Sequence, residues 1–200
     1  DAHGSIGILF EQASSRGHLQ DSQHGTLQFS DTIQNQITTS LSTFAGALAN
    51  KQSILDYQID FAKQTKKLIK DDNLAGYILN EKFDQTRFAK MLAILSAHQI
   101  QYYPLSKAVK VDGQTFDNKH SIFVPLDQSQ YRLIKSLFST RKSFDDNTFY
   151  DVSNWNLPLA FNIQYKAVTR QPKLDKQSTD KPETINPEIL ANAYAYVREK

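Results

Sequence analysis

From Asn73 to about Val168, short apolar runs alternate with stretches of helical period, and no other feature narrows the fold of this chain as much. Leu74–Leu79, Gln101–Leu105 and Ser121–Leu126 read as strands, and Phe149–Val152 as one more short strand. Between them, Asp84 can cap a helix that buries Phe88, Met91, Leu92 and Leu95. Asp127, with Gln130 three residues on, opens another that carries Tyr131, Ile134, Leu137 and Phe138. Ala108–Val111 and Gln114–Phe116 flank Asp112-Gly113, a hairpin signal because both turn positions need positive φ. Strands alternating with helices of roughly ten to fifteen residues predict an α/β fold, a mainly parallel sheet flanked by helices.

The rest of the chain is organised differently. In "SIGILFEQASSRG", residues 5 to 17, the run Ile6–Phe10 reads as a core strand that ends on Glu11. A Ser/Gly/His-rich loop follows to Gly25, then a short strand at Thr26–Phe29. Asp31 to Lys70 contains no proline, and Asp31 with Gln34 resembles a capping box. Ile33, Ile37, Leu41, Phe44, Ala45 and Leu48 recur at three- and four-residue steps, so they share one helix face. The pattern restarts with Ile54, Tyr57, Phe61 and Leu68; Gly46 and Asn50 either divide two helices or soften one long one. Residues 170–187 have linker composition, and Glu188–Arg198 can form a last short helix. The reading is therefore a segment 1–50, a connecting helix 51–72, an α/β domain 73–168, and a linker with a terminal helix 169–200.

Composition removes several functions. There is no cysteine among the 200 residues, hence no disulfide, thiolate metal site or cysteine nucleophile. A net charge of +2 with no dense basic stripe argues against nucleic acid. Lys66, Lys67 and Lys70, followed at once by Asp71 and Asp72, read as a solvated helix end. No run approaches the ~20 apolar residues of a membrane span. The opening DAHGSIGIL lacks the basic region of a signal peptide, and starting just before a core strand suggests a fragment or processed product. The seven glycines form no phosphate loop, and Ser14 and Ser15 lie in no G-x-S-x-G. His3, His18 and His24 cluster near the start without metal-ligand spacing, although His18 and His24 share a loop. His98 suits a helix C-terminus, and His120 stands alone. Trp155, among Phe149, Tyr150 and Phe161, belongs either to the core or to a ligand groove.

Glu11 remains. A carboxylate at the end of a buried strand is costly unless paired or used. Arg16 across the turn can pair with it; alternatively Glu11 is a general base at a site where water is activated.

"GSIGILFEQASSRGHLQ" followed by "TLQFSDTIQNQITTSLSTFAGALA" resembles the C-terminal end of zinc carboxypeptidases of the carboxypeptidase A type, in particular a bacterial branch with long C-terminal extensions. The likeness covers about the first quarter of the chain. It implies that Glu11, in Leu9-Phe10-Glu11, is the glutamate that serves as general base toward the water zinc activates, and that Ile33 to Ala49 is the last helix, packed on the sheet. "AGYILNEKFDQTRFAKMLAILSAHQIQYYPL", "FVPLDQSQYRLIKSLF" and "FYDVSNWNLPLAF" resemble that branch's extension, similar to a flavodoxin-like or class I amidotransferase-like domain without catalytic machinery. The family's zinc ligands, an H-x-x-E pair and a later His, and its substrate-binding arginines all lie well upstream of the glutamate, before the first residue of this chain; His3 is too close to be the distal ligand, which should precede Glu11 by tens of residues. The resemblance thus implies zinc in the parent enzyme, none in this chain, and a chain inactive by itself. It also implies a peptide or protein substrate, a periplasmic or secreted location, and an apolar face that the missing portion, the α/β domain or a second copy covers. Two rivals are a stand-alone non-enzymatic binding domain and a hydrolase built on His18, His24 and Glu11.

Overall fold

The computed structural model describes residues 4–12, 15–140 and 156–175. The expected strand Phe149–Val152, Trp155, the helix Glu188–Arg198, His3 and Ser14 lie outside the described residues. The chain divides into two compact units with the boundary between Gln64 and Thr65.

In the first unit, residues 5–12 adopt no regular secondary structure. This corrects the reading of Ile6–Phe10 as a buried strand: Leu9 is 79% exposed, and Ile6, Ile8 and Phe10 are exposed as well. A strand exists only through its neighbours' hydrogen bonds, and the two strands of this unit, β1 (Leu19–Ser22) and β2 (Gly25–Gln28), pair antiparallel with each other. The strand expected near Thr26 is therefore present, and its partner β1 lies in the stretch expected to be loop. Two 21-residue helices follow, α1 (Phe29–Ala49) and α2 (Lys51–Asp71). Asn50 divides them: its backbone N–H and its side-chain amide both donate to the Gly46 carbonyl. Asp31 does not cap α1 as expected; Gln28 takes the N-cap position without a side-chain bond, and Asp31 lies in the first turn, where the helix dipole favours it.

The apolar stripe of α1 forms as its spacing predicts, but on the solvent side. No residue of α1 is buried. Ile33, Ile37, Leu41, Phe44 and Leu48 all face outward, from 45% exposure at Ile33 to 77% at Leu48. The half-buried positions are Thr32, Thr39 and Thr43, on the polar side of the helix.

The second unit contains β3 (Gly76–Asn80), α3 (Gln85–Ala97), β4 (Tyr103–Pro104), β5 (Val109–Val111), β6 (Gln114–Phe116), β7 (Ser121–Pro125), α4 (Tyr131–Leu137), α5 (Leu157–Ala160) and β8 (Gln164–Val168). Its sheet runs β4-β7-β3-β8, and every neighbouring pair is antiparallel. The expectation of a mainly parallel, flavodoxin-like sheet is thus corrected, although the mixed α/β class holds. The physical reason is interleaving. β3-α3-β4 and β7-α4-β8 are each crossover units with parallel strands, but each leaves a gap that a strand of the other unit fills. The result is the split βαβ arrangement of ferredoxin-like sandwiches.

Strand alternation distributes the core over two faces. Tyr77 and Leu79 of β3 and Ile122 and Val124 of β7 meet Phe88, Met91 and Leu95 of α3 and Tyr131 and Ile134 of α4. Tyr77 stacks on Phe138 with ring centroids 4.5 Å apart, and Tyr165 closes the group edge-on to Phe138. On the opposite face Ile78 and Phe123 pack with Leu105, Phe116, Val109 and Val111. The last three belong to the hairpin expected at Asp112-Gly113, whose turn residues have φ of 48° and 79°. Gly76 is a packing requirement, because a Cβ there would collide with the Val124 carbonyl and come within 2.6 Å of the Phe123 ring. Asp84 caps α3 as expected, accepting the Arg87 N–H at 2.8 Å. Asp127 does not cap α4; Gln130 precedes that helix, and the intervening turn is closed by the Gln128 amide on the Pro125 carbonyl.

Candidate functional site

Glu11 sits on the exposed, irregular segment of the first unit. Among the described residues it forms no ion pair with Arg16. The next residue is tethered: Gln12 Oε1 accepts the Asn35 side-chain amide of α1 at 3.2 Å. Ile6, Ile8 and Phe10 line a groove of about 710 Å³ against Thr43, Ala47 and Ile54 of the helices. The period-two alternation of the run is therefore expressed without strand pairing.

The histidines of this unit do not converge. His18, at φ 45°, packs edge-on against Phe29 with centroids 6.4 Å apart, while the His24 ring lies 3.1 Å from the Gln23 amide. Among the described residues, no three His, Asp or Glu side chains gather as a metal would require.

A densely hydrogen-bonded polar cluster lies in the second unit, where β3 runs into α3 and β6 into β7. Glu81 follows β3 and its side chain is 7% exposed. Its Oε1 accepts the N–H groups of Phe83 at 2.8 Å and Asp84 at 3.0 Å, and Oε2 accepts Arg87 Nη2 at 2.6 Å. The hydrogen bond from Asp84 N–H, ahead of the Arg87 guanidinium, holds this carboxyl below the usual range despite its burial. A carboxylate held by three hydrogen bonds steadies the α3 N-terminus. Arg87 Nε is buried and has no hydrogen-bond partner among the described residues.

Beside it, Asn80 donates to Ser121 Oγ at 2.7 Å, and His120 Nδ1 meets Asp117 Oδ1 at 2.9 Å. Burial pushes the Asp117 carboxyl up, but hydrogen bonds from the Lys119 and His120 N–H groups and from the His120 ring outweigh it, and the net shift is downward. The aspartate is therefore ionised, Nδ1 carries a proton, and the imidazole is oriented. Ser121 is buried and engaged by Asn80, so it is not presented as a nucleophile. Sequence reasoning passed over this cluster because Asn80-Glu81 and Asp117-x-x-His120 are 37 residues apart between Asn80 and Asp117, and only the β3–β7 register joins them.

A third cluster ties the C-terminal end of α2 to α4. Asp72 Oδ2 accepts Tyr131 Oη at 2.8 Å and Lys135 Nζ at 2.9 Å, and Oδ1 accepts Leu74 N–H at 2.9 Å. Desolvation, with the Asp72 hydrogen bond next, pushes the Tyr131 phenol up to about 12. For Asp72, burial acts upward, and the bonds from Lys135, Leu74 and Tyr131 bring the carboxyl below its ordinary value.

Among the described residues no helix is long and apolar enough to cross a membrane. The chain matches no family model, no curated protein and no solved structure. Its fold defines a mixed α/β protein whose second unit is an antiparallel sandwich with its own core.

Proposed function

We infer that this chain is the C-terminal portion of a zinc carboxypeptidase, with Glu11 as the general base of peptide hydrolysis and the antiparallel unit as a non-catalytic accessory. The observation that carries this reading is the outward stripe of α1. Five large apolar residues at helical spacing are exposed together, and Asp31 is the only charged residue of the helix. Such a face, apolar and uncharged over about four turns, is the composition of a surface that another part of the protein covers. The resemblance makes α1 the last helix of the peptidase domain, whose sheet would cover that stripe. The apolar alternation of Ile6, Ile8 and Phe10, without a partner strand among the described residues, fits a strand that joins the same sheet.

In this role Glu11 takes a proton from the attacking water as its oxygen adds to the scissile carbonyl, then passes that proton to the leaving nitrogen as the C–N bond breaks and the amine departs. Asn35, through Gln12, anchors the segment that presents it. In this reading the zinc ligands belong to the part of the parent protein that precedes Glu11. The test is zinc content and hydrolysis of blocked dipeptides, measured on these 200 residues and on a protein extended upstream. Zinc and activity confined to the longer protein support the reading. Stoichiometric zinc in the short chain, or neither zinc nor activity in the long one, overturns it.

A further inference from the structure

A groove of about 690 Å³ lies beside β4 in the second unit, between residues 101–106, the 125–127 turn and residues 171–175. Its walls are clamped by bonds that do not depend on any ligand. Gln128 joins two of them, its amide accepting Gln101 N–H at 2.8 Å and donating to the Gln101 and Pro125 carbonyls. The third is fastened by Ser106 N–H and Oγ on the Lys173 carbonyl and by Asp175 N–H on the Pro104 carbonyl. Such a groove needs little reorganisation to accept a ligand.

These same bonds restrict what the ligand is. The main chain along β4 is already paired with residues 173–175, so a peptide has no open edge there to extend as a strand. Recognition falls to side chains. Tyr103 offers a half-buried aromatic face, and its hydroxyl donates to Gln101 Oε1 at 3.0 Å, which leaves the Gln101 amide N–H groups for a ligand. Gln171 adds a second carboxamide, and Asp127, Asp175 and Lys173 contribute two negative charges and one positive. A lining with two carboxylates to one ammonium does not attract a polyanion, and three charged groups around one groove do not suit an acyl chain. It matches a neutral, polyhydroxylated chain whose C–H face stacks on the aromatic ring and whose hydroxyls meet carboxamides and a carboxylate.

We propose that this groove binds an oligosaccharide. The site stands on the second unit alone and does not rest on the peptidase reading. The test is a titration of the full 200-residue chain with cellohexaose, chitohexaose and maltohexaose, each to about 10 mM, followed by heteronuclear NMR. At least one sugar is expected to give saturable shifts confined to residues 101–106, 125–128 and 171–175. Tyr103→Ala should weaken that binding roughly tenfold or more through the lost stacking face. Gln101→Ala, which keeps the main-chain bonds of residue 101 to Gln128, should weaken it as well. No saturable shift from any of the three sugars overturns the proposal. So do shifts that survive both substitutions, or binding of tetraglycine in the groove without binding of any sugar.

Discussion

Glu81 is the residue at which burial, charge and capping meet. Replacing it with Gln removes the charge that Arg87 pairs with and leaves the guanidinium, whose Nε has no partner among the described residues, against a neutral amide. Glu81→Gln should cost about 2–3 kcal/mol in urea unfolding, since breaking a largely buried pair costs more than the pair contributes. The sign of the pH dependence follows from the lowered carboxyl. The native state holds this proton less tightly than the unfolded chain, so the stabilisation is complete above the ordinary glutamate pKa of about 4.3 and fades as pH falls below it. Wild type should lose stability toward acid more steeply than Glu81→Gln. The opposite sign applies to Tyr131, whose phenol is raised to about 12. Its contribution is complete below the ordinary tyrosine pKa of about 10 and declines as pH rises through the folded value. Tyr131→Phe should cost about 1 kcal/mol at neutral pH and remove a late-titrating phenol from an ultraviolet titration. Gly76→Ala tests packing alone. With the Val124 carbonyl and Phe123 ring in the way, about 3 kcal/mol of stability should be lost, read as a lowered urea midpoint with the slope unchanged.

Elements differ in how far local signals decide them. α3 was legible because its cap, Asp84, and its stripe of Phe88, Met91 and Leu95 are all local, and the β5–β6 hairpin because Asp112-Gly113 meets its turn's φ requirement by itself. Strand pairing beyond that hairpin was not legible. Ile6–Phe10 has the composition of a strand yet finds no partner in the described residues, whereas the polar LQDS of β1 becomes a strand because Gly25 turns the chain back on it. α1 gives a sharper lesson: its period was read correctly, but periodicity tells which residues share a face and not what covers that face. Substitutions on the stripe measure this. In the 200-residue chain, Leu41→Ala and Phe44→Ala should change stability by no more than about 0.5 kcal/mol, as for exposed positions. In the upstream-extended protein the same changes should cost about 2–5 kcal/mol, the range for emptied core positions, if the peptidase sheet covers them. Equal small effects in both proteins would remove the main support for that reading.

Across the whole molecule, the order of elements was legible and their interleaving was not. Two crossover units placed side by side give a parallel sheet; the same two units threaded through each other give the antiparallel order β4-β7-β3-β8, from the same alternation of strands and helices. Only the long-range register, such as Asn80 opposite Ser121, distinguishes them, and that register also assembles the Asn80–Asp117–His120 cluster. The second unit supports its own core, while the first exposes the apolar face of its longest elements. The central claim is that this exposed unit belongs to a peptidase and that Glu11 is its base. The direct measurement is the kcat of Glu11→Gln in the upstream-extended protein, with zinc content determined on the same sample. A loss of at least about a hundredfold with zinc retained is the predicted result, since a positioned base contributes roughly 10²–10⁴ in rate. A zinc-loaded Glu11→Gln protein with near wild-type kcat would contradict the account.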